Sequence, residues 1–346
     1  MDPRANQTAE LTMRFLERGH RYLWTDSFAV CNLLGLGRTD RAVALVDEVH
    51  RTLGRHRADD ARKGWLSGEP DEVALVHPTR GGLRIGKPMR ERAEGAPYDP
   101  DLEWERDGQY FHYLTKWMHA LDQVARRTGE ARFNAWAREL AIAAHRAFTS
   151  GPRGHRRMIW KASIDLSRAL VPSMGQHDPL DGLVTCLELD STAHRLGITN
   201  GHELGEAAAD FSEMVRATAL ETSDPLGVGG LLFDAARLAQ LGARDGLFSE
   251  VVAASRSGLR AFTRQNNLSA PASRRLAFRE LGLAIGLHAA SELGDAEVAR
   301  YAPLGAEIEA FWSQPENRAN ATWSEHADIN EVMLATCLAP DGFLRL

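Results

Sequence analysis

The sequence predicts an all-α protein in which helical hairpins close into an (α/α)6 toroid. Apolar residues recur at helical spacing along almost the whole chain. Glycines interrupt this spacing at several points, and a new helix restarts two or three residues after each of them. These glycines are Gly37, Gly129, Gly197, Gly242 and Gly294. Because glycine readily adopts the left-handed conformation that ends a helix, each of them marks the turn of a hairpin.

Reading outward from these turns gives five helical hairpins. Their helices are 22–36 with 39–54, 107–127 with 131–149, 179–195 with 202–220, 226–240 with 245–263, and 274–292 with 296–312. Two helices remain unpaired, 6–20 at the start and 322–338 at the end. If these two pack side by side, they form the sixth hairpin and close the ring. We therefore expect residues 1–346 to form a single domain.

Two long insertions interrupt the hairpin series, at about 55–106 and 150–177. Each joins the second helix of one hairpin to the first helix of the next, so both should lie on one rim of the ring. The inner helices begin at that rim. Since helix N-termini favour carboxylates and anionic ligands, we expect the functional site there.

Composition excludes several classes of protein. The net charge is −6, with 44% hydrophobic and 25% charged residues, which is typical of a globular protein and too acidic for nucleic-acid binding. No apolar run approaches the roughly 18 to 20 residues that span a membrane. The chain opens on polar residues instead of an apolar secretion signal, so a cytoplasmic location is expected. The three cysteines are too far apart for a disulfide framework or a zinc knuckle.

Tryptophans are concentrated near the predicted functional rim. Five of the eight lie there: Trp24, Trp65, Trp104, Trp160 and Trp323. Indole rings stack on sugar rings, and the indole N–H needs a partner when it is buried. Trp104 and Trp323, close to inner-helix starts, are therefore candidate substrate-binding residues. The alternative is that the tryptophans only anchor the insertions.

The segment 107–119 has the pattern of a helix that lines a polar cavity. Its aromatic and polar residues are intermixed around the whole helix, so no clean face points to solvent. Asp107 is expected at the N-cap or in the first turn, and His112 and Lys116 are i, i+4 neighbours. Tyr110, His112 and Lys116 are candidate substrate-binding residues. The alternatives are a simple N-cap for Asp107 and a buried core histidine for His112.

The second insertion is locally basic. Residues 150–177 contain five Arg or Lys and one acidic residue, and Lys161 among them is a candidate substrate-binding residue. A basic rim beside helix N-termini suits an anionic sugar. The alternative is that these arginines pair with carboxylates of neighbouring helices.

Acidic residues and histidines also gather at two other predicted helix starts. Asp178 followed by Pro179 is typical of an N-cap with proline at the next position, and His177 and Asp181 lie beside it. At the last inner helix, Thr322 or Ser324 can cap, and the first turn holds Glu325, His326 and Asp328. Acidic residues in a first turn also simply complement the helix dipole.

Cleavage of a glycosidic bond requires at least two carboxylates that face each other across a cavity. The catalytic candidates are Asp107, Asp178, Asp181 and Glu325. We favour Asp107 with Asp178 or Asp181, one protonating the leaving oxygen and the other activating water, as an inverting enzyme requires. His177, His326 and Asp328 are expected to contact the substrate.

The glycine-turn hairpins, the tryptophan-rich rim and the helix opening Asp107-Gly108-Gln109-Tyr110-Phe111 resemble the (α/α)6 toroid carbohydrate enzymes. Among these are glucoamylases, unsaturated glucuronyl hydrolases and N-acylglucosamine 2-epimerases. The resemblance implies a carbohydrate-active enzyme, and we expect a small-molecule sugar substrate and no cofactor. It covers nearly the whole chain as architecture, and no catalytic residue is carried over from it.

Three alternatives remain open from the sequence. In a sugar epimerase, histidines such as His112, His177 and His326 would move a proton on and off carbon. A divalent ion could be held by His177, Asp178, Asp181, His326 and Asp328. Alternatively, the chain is a non-catalytic helical scaffold that binds a protein partner.

Lysine is rare in this chain. Only Lys63, Lys87, Lys116 and Lys161 occur, against 37 arginines, and all four lie between residues 55 and 177. A lysine supplies a compact point charge where arginine supplies a planar fork. Lys116 and Lys161 are therefore expected to occupy positions at which arginine would impair activity.

Overall fold

A computed structural model describes residues 3–198, 202–265 and 268–346. Its α-helices are α1 (Pro3–Glu17), α2 (Leu23–Gly35), α3 (Thr39–Leu53), α4 (Asp71–Ala74), α5 (Pro100–Glu105), α6 (Phe111–Thr128), α7 (Ala131–Phe148), α8 (Asp178–Arg195), α9 (His202–Arg216), α10 (Pro225–Gln240), α11 (Gly246–Gln265), α12 (Ala277–His288), α13 (Ala296–Ala299), α14 (Ala302–Ser313), α15 (Pro315–Arg318), α16 (Ala321–Ser324), α17 (Ala327–Leu338) and α18 (Asp341–Leu344). Its strands are β1 (Gln109–Tyr110), β2 (Thr149–Ser150), β3 (Arg157–Met158), β4 (Lys161–Ala162) and β5 (Ala169–Val171).

The predicted hairpin turns are confirmed. All five glycines have a positive φ, between 71° and 77°. Gly129 shows why: at φ 74° its N–H donates to the carbonyl of Ala125 at 2.8 Å, which closes α6 before α7 begins. A side chain there would strain the backbone.

Some predicted helices are divided in the structure. The helix expected over 274–292 ends at His288 and continues as a 3-10 turn over Ala290–Leu293. The helix expected over 296–312 breaks into α13 and α14, and Pro303 lies at the start of α14, where its missing N–H costs nothing. The helix expected over 322–338 is divided into α16 and α17.

The described chain separates into two compact units. The terminal unit comprises Met1–Gly19, Cys31–Arg38 and Ala219–Leu346. The central unit comprises His20–Val30 and Thr39–Thr218. Each is described by itself below, and the single domain expected over residues 1–346 stays a prediction.

In the terminal unit, the first long helix packs against the last one, as predicted. Leu11 and Phe15 of α1 are 1% exposed. The Thr8 hydroxyl donates to the carbonyl of Ala335 at 3.4 Å, and Arg18 donates to Glu331 at 2.8 Å. The contact between α1 and α17 therefore combines an apolar face with buried polar bonds.

In the central unit, α6 pairs with α7, α8 pairs with α9, and α6 also lies against α8. Short strands, which the sequence did not predict, join the second insertion to this helical layer. Strands β1, β4 and β5 form an antiparallel sheet in that spatial order, and β2 pairs with β3. Tyr110 lies opposite Lys161 in this sheet.

The start of α6 differs from the prediction for a local reason. The helix expected from residue 107 begins at Phe111, because Gln109 and Tyr110 pair with β4. Gly108 has φ 153°, and a Cβ there would lie 2.8 Å from the carbonyl oxygen of Ala162. Only glycine allows the two backbones to approach this closely.

The two insertions pack against each other in the central unit. The guanidinium of Arg62 lies 2.8 Å from Asp165. The side chain of Glu91 accepts the N–H of Ile164 at 2.7 Å, and Arg92 donates to the carbonyl of Leu170 at 3.0 Å. The two insertions are thus in direct contact, and their place on one rim of a ring stays a prediction.

Two further expectations can be compared with the described residues. None of the helices in these ranges has the length and hydropathy needed to cross a membrane. The three cysteines, Cys31, Cys186 and Cys337, are buried and form no disulfide.

Candidate active site

Asp178 and Asp181 lie in the first turns of α8 and are each 6% exposed. Because they are three residues apart on a helix, their side chains share one face. The helix begins one residue earlier than predicted, so the N-cap position belongs to His177 and Asp178 lies inside the first turn. The structure therefore brings these two candidate carboxylates together.

Asp181 is held by two donors from α6. The ammonium nitrogen of Lys116 lies 2.7 Å from Oδ2 of Asp181. The hydroxyl of Thr115 donates to the same oxygen. These are contacts that a carboxylate anion makes. Thr115 is a site residue that the sequence did not single out.

Asp178 is in a different environment from Asp181. Its Oδ2 is buried and has no hydrogen-bond partner among the described residues. A Cβ at Gly175 would lie 2.3 Å from this oxygen, so glycine lets the preceding loop cover the carboxyl group. The pKa of Asp178 is raised to about 7, chiefly by burial and secondly by the charge of Asp181, while Lys116 and a hydrogen bond with the Gly175 backbone oppose the shift. The raised pKa favours the protonated form of Asp178, whereas Lys116 and Thr115 contact Asp181 as they would contact an anion.

Aromatic side chains line the surface beside these carboxyl groups. The Trp160 ring is stacked on His112 at 5.8 Å and on Trp104 at 5.6 Å. Tyr110 lies 5.1 Å from Trp160, and Trp24 lies 6.0 Å from His112. Trp104 is 50% exposed. We call these five residues the aromatic wall; an exposed indole at its edge offers a flat face for a sugar ring.

His112 connects the aromatic wall to the carboxyl groups. The pKa of His112 is lowered to about 3, chiefly by burial and secondly by the charge of Lys116, while the charge of Asp181 opposes the shift. The imidazole is therefore neutral at physiological pH. Its Nδ1 is buried and has no hydrogen-bond partner in the described ranges.

Asp107 is placed differently from its prediction. It precedes β1 and is wholly buried, so it does not cap α6. Its Oδ2 lies 3.0 Å from Arg84 and 3.4 Å from Arg57, and its Oδ1 accepts the N–H groups of Gly86 and Gly108. In this structure Asp107 anchors the first insertion, and its catalytic role stays a prediction.

Lys161 is also buried, at 0% exposure. Its ammonium donates to the carbonyl oxygens of Glu103 and Arg106 at 2.7 Å and to the Glu103 carboxylate at 3.1 Å. An ammonium has only three protons to donate. The sequence predicts that Lys161 contacts the substrate directly. Such a contact would require one of these three hydrogen bonds to break.

Lys87 lies beneath Trp104, and the sequence did not single it out as a site residue. Its Nζ is 4.7 Å from the centre of the Trp104 ring and donates to the carbonyl of Trp104. Burial lowers the pKa of Lys87 to about 8, and the neighbouring charge of Lys161 adds to the shift. The Lys87 ammonium thus makes a cation–π contact with the exposed indole of Trp104.

The basic residues of the second insertion mostly face protein acceptors. Arg156 lies 3.1 Å from Asp210, Arg168 donates to a backbone carbonyl of the first insertion, and Lys161 is buried as described. The two remaining cations, Arg153 and Arg157, are exposed. Of the four arginines, Arg156 pairs with a carboxylate of a neighbouring helix as the ion-pairing alternative expects, and an anionic substrate stays a prediction.

Trp323, in the terminal unit, is buried instead of lying open to substrate. It is 6% exposed and stacked on Trp312 at 5.8 Å. The short helix that contains it is capped by Asn320, whose side chain accepts the N–H of Trp323, and not by Thr322 or Ser324. Its predicted role as a sugar platform would need its face to be uncovered.

The other candidates of the terminal unit lie just before α17 or in its first turn. Asp328 pairs with Arg18, the residue that follows α1. His326 is exposed, with its ring 5.4 Å from Phe278, and Glu325 is exposed. Asp328 thus takes part in the contact between α1 and α17, and the predicted roles of all three in substrate binding or catalysis stay predictions.

The sequence did not predict a buried polar network that lies below the candidate site. His119 and Glu188 are 0% exposed, and the His119 ring lies 2.8 Å from the carboxylate. Asp122 accepts from Thr192 at 2.7 Å and from Asn134 at 2.9 Å, which ties α6, α7 and α8 together. The polar spacing along α6 was its only sequence signal, and the same spacing is typical of an exposed face.

Across the described residues, no three His, Cys, Asp or Glu side chains are grouped so that they could hold a metal ion. The divalent-ion alternative therefore lacks a ligand set within these ranges.

The fold has a counterpart among solved structures. The chain is similar to a selenomethionine derivative of the GH76 alpha-mannanase of Bacteroides thetaiotaomicron, with a TM-score of 0.61 and 9% sequence identity. The match covers 98% of this chain and 96% of that one. It confirms the (α/α)6 toroid fold and the architectural resemblance to carbohydrate enzymes. Sequence comparison with protein families and with curated proteins finds no match.

Proposed function

We propose that this chain is a glycoside hydrolase in which Asp178 is the general acid and Asp181 is the second catalytic carboxylate. The observation that carries the proposal is the contrast between the two carboxyl groups. Asp178 is buried with an unpartnered oxygen, whereas Asp181 is held by Lys116 and Thr115. One face of α8 thus presents an acid and an anion beside an aromatic wall, and these are the two kinds of carboxyl group that glycosidic cleavage uses.

The reaction follows from these roles. Asp178 donates its proton to the glycosidic oxygen as the bond to the anomeric carbon breaks. Asp181 removes a proton from the water that attacks that carbon, so each carboxyl group changes its protonation state once. Lys116 and Thr115 keep the Asp181 oxygen in position, and a sugar ring rests against Trp160 and Trp104.

The fold similarity supports a sugar substrate. The similar structure is that of an alpha-mannanase, so mannosides are the first substrates to test. The exposed Arg153 and Arg157 are the reason to include uronides, since guanidinium groups bind carboxylates.

The test is a screen of aryl glycosides and oligosaccharides built from mannose, glucose and glucuronic acid, with products followed by NMR. Release of a reducing sugar is expected for at least one substrate. Asp178→Asn should lower kcat by at least about 100-fold without loss of folding. Asp190→Asn is the matched control, because Asp190 lies on the same helix with a side chain 49% exposed. Turnover that is unchanged by Asp178→Asn, or no turnover by the folded protein, would contradict the proposal.

A sugar epimerase is the second candidate. The neutral His112 imidazole with its unpartnered Nδ1 is the observation that favours it, since such a group can accept a proton from carbon. The same NMR experiment separates the two, because an epimerase converts one free sugar into another and cleaves no glycosidic bond. A non-catalytic scaffold would produce neither change.

A further inference from the structure

We infer that the terminal unit contains a binding site for a small organic carboxylate, built from Arg318, Arg14 and an apolar floor that includes Trp323. These residues line a groove of about 350 Å³ between α1 and the segment 315–323. The site is separate from the proposed hydrolase residues, all of which belong to the central unit. It does not depend on the proposed function.

Arg318 is the observation on which this site rests. Its guanidinium lies 5.8 Å from the centre of the Trp323 ring, and its Nη2 donates to the carbonyl of Ser313 at 3.2 Å. Its Nε is buried without a hydrogen-bond partner in the described part of the chain. No carboxylate in those ranges comes within ion-pair distance of it. A partly buried guanidinium normally has an anionic partner, because removing its hydration is costly.

The acidic side chains around Arg318 are already engaged elsewhere. Glu10 lies 2.5 Å from Arg14. Glu331 lies 2.8 Å from Arg18 and 3.5 Å from Arg14. Burial lowers the pKa of Arg318, the positive charge of Arg14 adds to this effect, and the charges of Glu331 and Glu10 oppose it. A carboxylate from solution would supply the missing anionic partner; since Nε is buried, the ligand would be held through the Nη atoms of the planar guanidinium.

Part of the groove suits an apolar body on the ligand, while Gln7 and Glu10 make another part of its lining polar. Leu11 and Trp323 are buried residues of the floor, at 1% and 6% exposure. Pro315 is an exposed part of the wall. A volume of about 350 Å³ is at the small end of ligand sites, which suits an aromatic or short branched acid. The ligand class is therefore a monocarboxylate with a compact apolar body.

The experiment measures binding of benzoate to the full chain by isothermal titration calorimetry. Benzamide tests the need for the negative charge, and acetate tests the need for the apolar body. Arg318→Gln removes the charge, and Arg300→Gln is the matched control, since Arg300 is an exposed arginine of the same unit that does not line the groove. Circular dichroism checks the folding of each variant.

Benzoate should bind the wild-type protein and the Arg300→Gln variant equally. Benzamide, acetate and Arg318→Gln should each weaken binding at least about tenfold. Equal binding of benzoate and benzamide, undiminished binding by Arg318→Gln, or no benzoate binding would overturn the inference. If Arg318→Gln does not fold, Arg318→Lys replaces it: lysine keeps the charge without the fork, so binding should again weaken, and unchanged affinity would contradict the role of the fork.

Discussion

The ammonium of Lys116 lies 2.7 Å from Oδ2 of Asp181 and joins α6 to α8 beside the aromatic wall. Both side chains are mostly buried, at 12% and 8% exposure, so the pair is poorly screened by solvent. The same two charges act in opposite directions on Asp178. The proposed chemistry can therefore be tested through the protonation of Asp178 as well as through rates.

The rate should depend on pH through Asp178. Burial raises the pKa of Asp178 to about 7, and the acid must carry its proton to act. We expect kcat/KM to fall as pH rises through about 7, measured on the best substrate found in the screen. A profile that stays flat between pH 6 and pH 8 would show that Asp178 is not the acid.

The free energy of unfolding should also depend on pH through Asp178, and this can be measured without a substrate. The pKa of Asp178 in the folded state lies above the value of about 3.9 expected in the unfolded chain. Protonation therefore stabilises the fold fully below about pH 3.9, and this contribution is lost as pH rises to about 7. Relative to the wild type, Asp178→Asn should gain stability between pH 4 and pH 8, on the order of a few kcal/mol. Denaturant melts across this range measure it, and parallel curves for the two proteins would exclude the shift.

Two substitutions of Lys116 distinguish the effect of its ammonium geometry from the effect of its charge. Lys116→Arg keeps the charge but cannot place a compact ammonium at Asp181, so kcat should fall at least about tenfold. Lys116→Met removes a charge that lowers the pKa of Asp178, so the alkaline limb of the pH profile should move to higher pH. Lys63→Arg is the control, because Lys63 is exposed. Full activity in Lys116→Arg would contradict the expectation that this position requires a lysine.

Trp104 should contribute to substrate binding and little to the chemical step. It is 50% exposed and stacked on Trp160. Trp104→Ala is expected to raise KM about tenfold with kcat nearly unchanged, the signature of an interaction made equally in ground and transition states. Leu102→Ala, in the same short helix and 42% exposed, is the matched control. An equal effect in both variants would point to disturbance of α5 and not to lost stacking.

Replacing Asp107 distinguishes a structural role in anchoring the first insertion from a catalytic role. Asp107→Asn removes a wholly buried charge that faces Arg57 and Arg84, so the free energy of unfolding should fall by about 3 kcal/mol. Denaturant unfolding measures the change. A variant of native stability without activity would instead support the catalytic role predicted from sequence.

The helices could be predicted because their signals are local. The φ of Gly129 and the hydrogen bond that it makes to Ala125 involve only neighbouring residues. The strand residues Tyr110 and Lys161 could not be predicted in the same way, because each strand is only two residues long. Their pairing depends on a partner far away in the chain, which periodicity does not report.

The candidate site was only partly predictable for the same reason. Asp178, Asp181, Lys116 and His112 were identified as polar residues on predicted helix starts, and the structure groups them in the central unit. Asp107 had the sequence pattern of an N-cap, and only tertiary contacts show the arginines that enclose it. The open groove beside the buried Trp323 likewise had no signal in sequence.

The sequence by itself therefore determined the helical hairpins, the turns between them and the pool of ionisable side chains near their ends, because those depend on short-range spacing. Only the tertiary structure decided that Oδ2 of Asp178 is buried with no hydrogen-bond partner among the described residues, that Asp181 faces Lys116, and that Arg318 donates to the carbonyl of Ser313. The physical reason is that desolvation and charge pairing arise from groups distant in sequence, and these set the protonation and binding on which function depends.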